Sequence, residues 1–475
     1  MSNASPGFAD KIDAFIRPFS DAVNDIIFYS VSIAGIDLPI VVVWLISAAV
    51  ILTAYFGFIN ISGFSHGISI VTGKRAASKS PGEISHFEAL SSALSGTVGL
   101  GNIASVPVAI ALGGPGAVFW MIIAGFFGMT SKFAECTLAV KYRRVRPDGT
   151  TTGGPMYYIE EVFKRRGLGP VGKIAGIFFA IMTVGASISV FQVNQSYEQF
   201  SYVTKIDAPL LYGAIISGLV AVVILGGIKN IARVTRILVP FMAALYLVAA
   251  LIIILLNIGS VPGVIVDIVR SAFGLEAAGG GFVGALINGI QRATYSSEAG
   301  VGSAAIAHSA VKTDEPLTEG YVALLEPFID TVVVCTVTAL VILVTGVHEP
   351  FLFTPKSEIS GITITSAAFE GTFSWYPIVL LVSVVLFAFS TLVAWAHYGA
   401  QAAAYLFGDT KFVDVTFKIL LCLALSTGAA ITLGSIINFI DAMLFAMAVP
   451  NIIAIYLLMP ELKRDLKAYN QKYRS

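Results

Sequence analysis

Apolar blocks of about twenty residues recur along this chain, each long enough as a helix to cross roughly 30 Å of hydrocarbon. The pattern predicts eleven spans, at about 38–58, 88–112, 117–140, 174–197, 209–225, 231–257, 282–311, 321–344, 377–406, 413–433 and 437–458. They are numbered 1 to 11 below. Two of them are broken by polar, glycine-rich stretches. Span 2 carries Leu94-Ser95-Gly96-Thr97-Val98-Gly99-Leu100-Gly101-Asn102, and span 7 carries Ser296-Ser297-Glu298-Ala299-Gly300-Val301-Gly302-Ser303. Each interior glycine costs a helix about 0.5–1 kcal/mol relative to alanine. Backbone groups freed inside a bilayer must still find partners, so unwinding there implies that protein, water, an ion or a substrate meets them. The pattern predicts a binding site at membrane depth.

Span 2 opens a block of five spans, and span 7 opens a second. Five is odd, so the two blocks lie in the membrane with opposite orientation. Interruptions at corresponding positions of two inverted halves point to a transporter binding site. The expected division is 1–85 for an N-terminal interfacial segment, the first span and a loop. Residues 86–260 form the first repeat, 261–460 the second, and 461–475 a basic tail. The fold class is therefore an all-α membrane protein with one span ahead of a five-plus-five repeat.

Charge sharpens the topology. Residues are 56% hydrophobic and 12% charged, with zero formal net charge, so nothing points to nucleic acid or another polyanion. Arg143, Arg144, Arg146, Lys164, Arg165 and Arg166, with Lys74, Arg75 and Lys79, fall in loops after odd-numbered spans. Lys463, Arg464, Lys467, Lys472 and Arg474 add a basic tail, whereas the other side holds little beyond Lys11, Arg17, Lys205, Arg270 and Lys356. The positive-inside rule then puts the N-terminus outside and the C-terminus in the cytoplasm. The N-terminal stretch, with Asp10, Lys11, Asp13, Arg17 and Asp21 between apolar residues, reads as an interfacial helix. Cys136, Cys335 and Cys422 all lie within spans and suggest neither a disulfide framework nor clustered metal ligands.

A broken helix offers N–H groups of partial positive charge and carbonyls of partial negative charge. The amides around Gly99, Leu100 and Gly101 suit an anionic group. Carbonyls at Ser95, Thr97 and Val98, with the Asn102 amide oxygen, suit a hard cation such as Na⁺. Carbonyls of Tyr295, Ser296 and Ser297 suit an ammonium, so the pair of breaks fits a small zwitterion. Close helix packing through small residues is the competing account of a single glycine pair, and the matched second break disfavours it. In span 9, Ser390 and Thr391 either complete an ion site or bond back to the preceding turn.

Ionisable residues within spans should pair or face water. Lys132 and Glu135, one turn apart, read as a structural network. Arg292, Glu298, Glu326 and Asp330 read as candidates for an inner gate. Asp441 is expected at the interface. Gln192, Asn194 and Gln195 form a polar cluster near the outer end of span 4, where a solvated helix end competes with a binding role. His397 reads as a packing histidine.

The segments Gly113-Gly114-Pro115-Gly116-Ala117-Val118-Phe119-Trp120-Met121, reaching Gly128, Thr152-Gly153-Gly154-Pro155-Met156-Tyr157-Tyr158, and Tyr295 to Gly300 closely resemble the alanine/glycine:cation symporters, the sodium:alanine symporter family. Ile122 departs from that signature. Val98 to Asn102 is similar to the first-helix motif of the neurotransmitter:sodium symporters, which share the LeuT-type five-plus-five inverted repeat. The resemblance implies a substrate carboxylate on the Leu100 and Gly101 amides, beside Thr97 and Gly99. It implies one Na⁺ near Thr97 and Asn102, and a second between Ser95, Val98, Ser390 and Thr391. Gln192 and Trp395 would line the substrate pocket, with Tyr295 and Ser296 at the amine. The implied cargo is a small neutral amino acid, alanine or glycine, with glutamine carried by some members, and Na⁺ as the co-transported ion.

The expected function is thus Na⁺-coupled symport by alternating access at the plasma membrane, with glutamine transport or H⁺ coupling as alternatives. An ion channel also uses irregular carbonyl-lined backbone, but inverted halves favour a carrier. No His-Glu-x-x-His and no nucleophile–base pair at membrane depth suggests an enzyme.

Overall fold

The computed structural model describes residues 17–18, 21–33, 36–73, 80–147, 149–274, 281–353, 359–431 and 433–473. Asp10, Lys11 and Asp13 of the expected interfacial helix lie outside the described residues, as do Lys74, Arg75, Lys79, Lys356 and Arg474. A short antiparallel hairpin, β1 Ser30–Ile33 with β2 Ile36–Pro39, leads into α1 Ile40–Tyr55. Among the described residues that follow, helices dominate, with one further short antiparallel pair, Arg144–Val145 with Thr151–Thr152.

Span 2 is three pieces: α2 His86–Thr97, α3 Leu100–Ile103 and α4 Ser105–Gly113, with a bend of 51° at the break. The N-terminus of α2 is fixed by a capping box in which Ser85 and Glu88 satisfy each other's backbone N–H groups. Next come α5 Gly116–Lys141, α6 Gly169–Ser187, α7 Val190–Thr204, α8 Pro209–Ile224 and α9 Gly227–Leu256. The second half opens with α10 Val261–Phe273, then α11 Gly281–Ser297 and α12 Ala304–His308, the two pieces of span 7. Span 8 begins with α13 Pro316–Ala323, passes through a π-helical stretch at Phe328–Cys335, and ends in α14 Thr336–Thr345. The chain closes with α15 Gly361–Glu370, α16 Tyr376–Phe407, α17 Lys411–Thr427 and α18 Leu433–Tyr473.

Among the described residues, seven helices are long and apolar enough to cross a membrane, or eight if the bent pair in span 2 counts as one. α1 and α8 are apolar but shorter. Outward-facing Ile215, Leu219 and Val222 on α8, and Ile237, Phe241 and Leu251 on α9, are strongly exposed. Such a surface suits hydrocarbon, not water.

The structure adds features absent from the expected pattern. Span 4 is interrupted at Ile188 and Ser189, between α6 and α7. α10 and α15 are helices outside any expected span. The π-helical stretch in span 8 widens one turn around Asp330, and such bulges often mark functional positions.

Small residues let the central helices approach closely. α11 lies along α5, and a Cβ on Gly289 would meet the Ala117 carbonyl and stand 2.8 Å from Trp120 Cβ. Gly289→Val should therefore force these helices apart and destabilise the protein by about 1–3 kcal/mol. Thermal unfolding in detergent measures this, and an unchanged midpoint would contradict the packing.

Candidate functional site

The first break begins where Val98 leaves helical geometry at ψ 88° and Gly99 becomes extended. Gly99 N–H then has no helical acceptor, and Asn102 Oδ1 accepts it at 2.9 Å. The Leu100 N–H donates to Gln192 Oε1 at 3.3 Å, joining α3 to α7. A Cβ on Gly99 would overlap Thr391 Oγ1, so the close approach of the break to α16 requires glycine.

The second break is left-handed at three places: Glu298 at φ 54°, Gly300 at φ 88° and Gly302 at φ 92°. For the glutamate this conformation carries strain, roughly 1–2 kcal/mol. Its carboxylate is anchored at both oxygens, Oε1 accepting from Trp395 Nε1 at 3.0 Å and Oε2 from the Ser303 hydroxyl. The freed Gly300 carbonyl accepts from Asn451 Nδ2 at 2.9 Å, and the same amide donates to Glu135 Oε1 at 2.8 Å. Asn451 thus does for the second break what Asn102 does for the first.

Between the breaks lies a small cavity of about 20 Å³. Thr97 and Gly101 line it from the first break, Tyr295 and Glu298 from the second, and Gln192, Thr391 and Trp395 from α7 and α16. Gly96, Ala186, Ser189, Ile440 and Leu444 complete the walls, and none of these five is among the expected site residues. Gln192 reaches the cavity because the chain turns at Ile188 and Ser189, where Val190 N–H bonds to Ile188 O at 2.6 Å.

Other expected site residues lie beside the cavity. Ser296 points away, donating to Asp330 Oδ2 at 2.7 Å, and Asn102 Nδ2 donates to Asp330 Oδ1 at 2.6 Å and to Ser296 Oγ at 2.9 Å. Ser297 bonds back to the Ala293 carbonyl at 2.9 Å and faces α1, not the cavity. Ser95 Oγ donates to the Ser390 carbonyl at 2.6 Å, which joins α2 to α16 one residue from Thr391. Thr391 Oγ1 is buried with no hydrogen-bond partner among the described residues. An oxygen of that kind suits a hard cation.

The four residues read as one gate fall into separate networks. Glu298 belongs to the cavity wall, Asp330 to Asn102 and Ser296, and Glu326 to Lys132 at 3.2 Å and His308 at 2.5 Å. Arg292 forms an ion pair with Asp441 and lies over the Tyr295 ring, 5.3 Å from its centroid. Asp441 is only 3% exposed and is held by that guanidinium within the fold. The polar cluster of span 4 is likewise buried, not a solvated helix end. Asn194 Nδ2 donates to Ile431 O at 2.9 Å, and Gln195 Nε2 to Asn194 Oδ1 at 3.0 Å. Lys132 and Glu135 turn to different partners, Glu326 and Asn451. His397 lines a separate polar cleft with Arg146, Asp414 and Lys418.

A model of the sodium:alanine symporter family matches residues 21–475. The sodium/alanine symporter AgcS of Methanococcus maripaludis is 38% identical over 434 residues, 91% of this chain and 94% of that protein. The probable sodium/glutamine symporter GlnT of Bacillus subtilis is 31% identical over 439 residues, 92% of this chain and 89% of that one. Among solved structures, MhsT in complex with L-phenylalanine matches with a TM-score of 0.60 at 17% identity, covering 80% of this chain and 90% of that chain. That likeness establishes a shared LeuT-type fold.

Gly99→Ala should destabilise the protein by about 1–3 kcal/mol through overlap with Thr391 Oγ1. Adding Thr391→Ala should restore most of the loss. Thermal unfolding of the single and double variants decides, and additive losses would contradict the contact.

Proposed function

The chain belongs to the sodium:alanine symporter family, and from that premise we propose that it imports small neutral amino acids, chiefly alanine and glycine, together with Na⁺. The family is one of secondary transporters, not enzymes. The observation that carries the reading is that both broken spans end at one cavity, lined by Thr97 and Gly101 from one and by Tyr295 and Glu298 from the other, and the helix ends at two such breaks carry opposite partial charges. A zwitterion bridges such a pair of dipoles.

In this reading the substrate carboxylate sits at Leu100 and Gly101, at the start of α3, with Thr97 and Gly99 beside it. The ammonium sits against the Tyr295, Ser296 and Ser297 carbonyls, and Gln192 and Trp395 flank the side chain. One Na⁺ binds near Thr97 and Asn102. A second binds among Ser95, Val98, Ser390 and Thr391, and the unpartnered Thr391 hydroxyl supports that position. Ion and substrate share the unwound segment of span 2, so each preorganises the other's site. Substrate must then raise Na⁺ affinity by the factor by which Na⁺ raises substrate affinity.

We place eleven spans in the plasma membrane, one ahead of two inverted blocks of five, with the N-terminus outside and the C-terminus in the cytoplasm. Spans 2, 3, 7 and 8 rock against spans 4, 5, 9 and 10. Three contacts cross that boundary at the cavity: Ser95 to Ser390, Leu100 to Gln192, and Glu298 to Trp395. On this topology the Arg292–Asp441 pair lies on the outer side of the cavity and Glu326 on the inner side. Glutamine as cargo is the second reading, favoured by the likeness to a probable sodium/glutamine symporter.

Uptake into proteoliposomes, competed with alanine, glycine, serine and glutamine with and without a Na⁺ gradient, tests the assignment. Saturable uptake that needs the gradient is expected, with alanine and glycine the strongest competitors. Flux that does not saturate would favour a channel. Asn102→Ala should lower uptake at limiting Na⁺ by about tenfold or more, the loss expected when a buried polar group loses its partners. A wild-type Na⁺ dependence in that variant would remove Asn102 from the ion site.

A further inference from the structure

On the side of the breaks away from Arg292, the bundle holds a chain of ionisable groups that the transport reading leaves unused. His86 Nδ1 lies 2.5 Å from Glu319 Oε2, and Glu319 Oε1 lies 2.5 Å from His308 Nδ1. His308 Nε2 is in turn 2.5 Å from Glu326 Oε1, and Glu326 Oε2 is 3.2 Å from Lys132 Nζ. His308, Glu319, Glu326 and Lys132 are all 0% exposed, whereas His86, at the start of α2, is 9% exposed. The chain therefore runs from the protein's edge to its interior.

The donor inventory of the bridge is decisive. A neutral imidazole carries one N–H and one lone pair. His308 touches a carboxylate oxygen with each ring nitrogen, so a neutral ring would set a lone pair against a carboxylate lone pair. Two good contacts require one more proton than a neutral histidine and two carboxylates possess. Charge agrees: with that proton, Lys132 and an imidazolium balance Glu319 and Glu326, and without it the buried group is left with uncompensated negative charge. Both ring nitrogens face carboxylates, so neither offers a free lone pair to a metal, although Cys136 lies within 4.8 Å.

The bridge also has a mechanical place. Glu319 takes His86 from α2 and His308 from α12, which are the halves of spans 2 and 7 on this side of the breaks. One carboxylate thus ties both half-helices to span 8, and Lys132 ties span 8 to α5. The other charged or titratable groups nearby have their own anchors. Glu135 is held by Asn451, Glu298 by Trp395 and Ser303, and Arg143 by the Ser309, Val311 and Thr313 carbonyls. The Cys136 thiol and the buried Tyr398 hydroxyl of α16 complete the surroundings.

We propose that His308 is a proton-binding site whose bound proton latches the inner ends of both broken spans. The proton leaves by way of Glu319 and the His86 ring into water, leaving His308 neutral. Its loss turns one attractive contact into a repulsive one and frees α2 and α12 to swing. The latch is a statement about the fold, and only its consequence, proton-gated opening to the cytoplasm, rests on the transport reading.

Cys136 is fully buried beside the bridge, so its alkylation reports opening. The full-length protein is treated with iodoacetamide between about pH 6 and about pH 10, a span that covers the range in which an ordinary histidine changes charge and extends above it. Peptide mass spectrometry gives the ratio of Cys136 to Cys422 modification, and the half-buried Cys422 corrects for the intrinsic effect of pH on thiols. The ratio should rise about fivefold or more across that range, a modest shift of a closed–open equilibrium. In Glu319→Gln the amide supplies the missing donor, so the ratio should stay low and flat. In His308→Gln it should be independent of pH. A flat wild-type ratio, or a wild-type rise in Glu319→Gln, overturns the proposal, and the latter test survives if His308→Gln fails to fold. Absence of amino-acid uptake would instead refute the transport reading and leave the alkylation result standing.

Discussion

A main-chain dipole released from its helix inside a membrane has no water to fall back on, and this one constraint organises the molecule. The Gly99 N–H finds Asn102, and the Gly300 carbonyl finds Asn451. Each asparagine then has capacity left over and spends it on buried carboxylates. Asn102 donates to Asp330, and Asn451 donates to Glu135. Two breaks in two helices thus recruit polar partners from span 8, α5 and α18.

From that arrangement follows the cavity. Helix pieces cannot close up where the chain is extended or left-handed, so space remains between Thr97 and Gly101 on one side and Tyr295 and Glu298 on the other. The remaining walls come from α6 and the turn after it, α7, α16 and α18, elements packed around the breaks. The contacts crossing this space are few and polar, which suits parts that must separate and rejoin. The buried charges elsewhere sit in compensated sets: Arg292 with Asp441, and Lys132 with Glu326 and the histidine bridge. Unpaired, any one of them would cost several kcal/mol.

Much of this was legible along the chain. Both breaks announce themselves by glycine among polar residues where hydrophobicity is otherwise continuous, and each lies where the structure loses its helix. Thr97, Gly101 and Tyr295 were named from the two breaks, and Gln192 and Trp395 through the family resemblance; all five line the cavity. Ile440, Leu444 and Ala186 were not named, because apolar residues in apolar helices carry no mark of what they face. The turn at Ile188 and Ser189 is hidden for a related reason: two serines, Ser187 and Ser189, after Gly185 are a weak signal, yet the turn carries Gln192 to the site. The partner of Asp441 was not legible because Arg292 lies 149 residues away along the chain.

Local chemistry therefore determined that long apolar helices recur along the chain and where two of its segments come undone, since helix formation and bilayer length are properties of contiguous residues. It could not decide partners. That His86, Glu319, His308 and Glu326 form one chain, that Ser296 turns to Asp330 while Ser297 turns to α1, and that Glu298 meets Trp395, are matters of helix rotation and register. Those are set by side-chain packing between elements far apart in the chain, and only the tertiary structure fixes them.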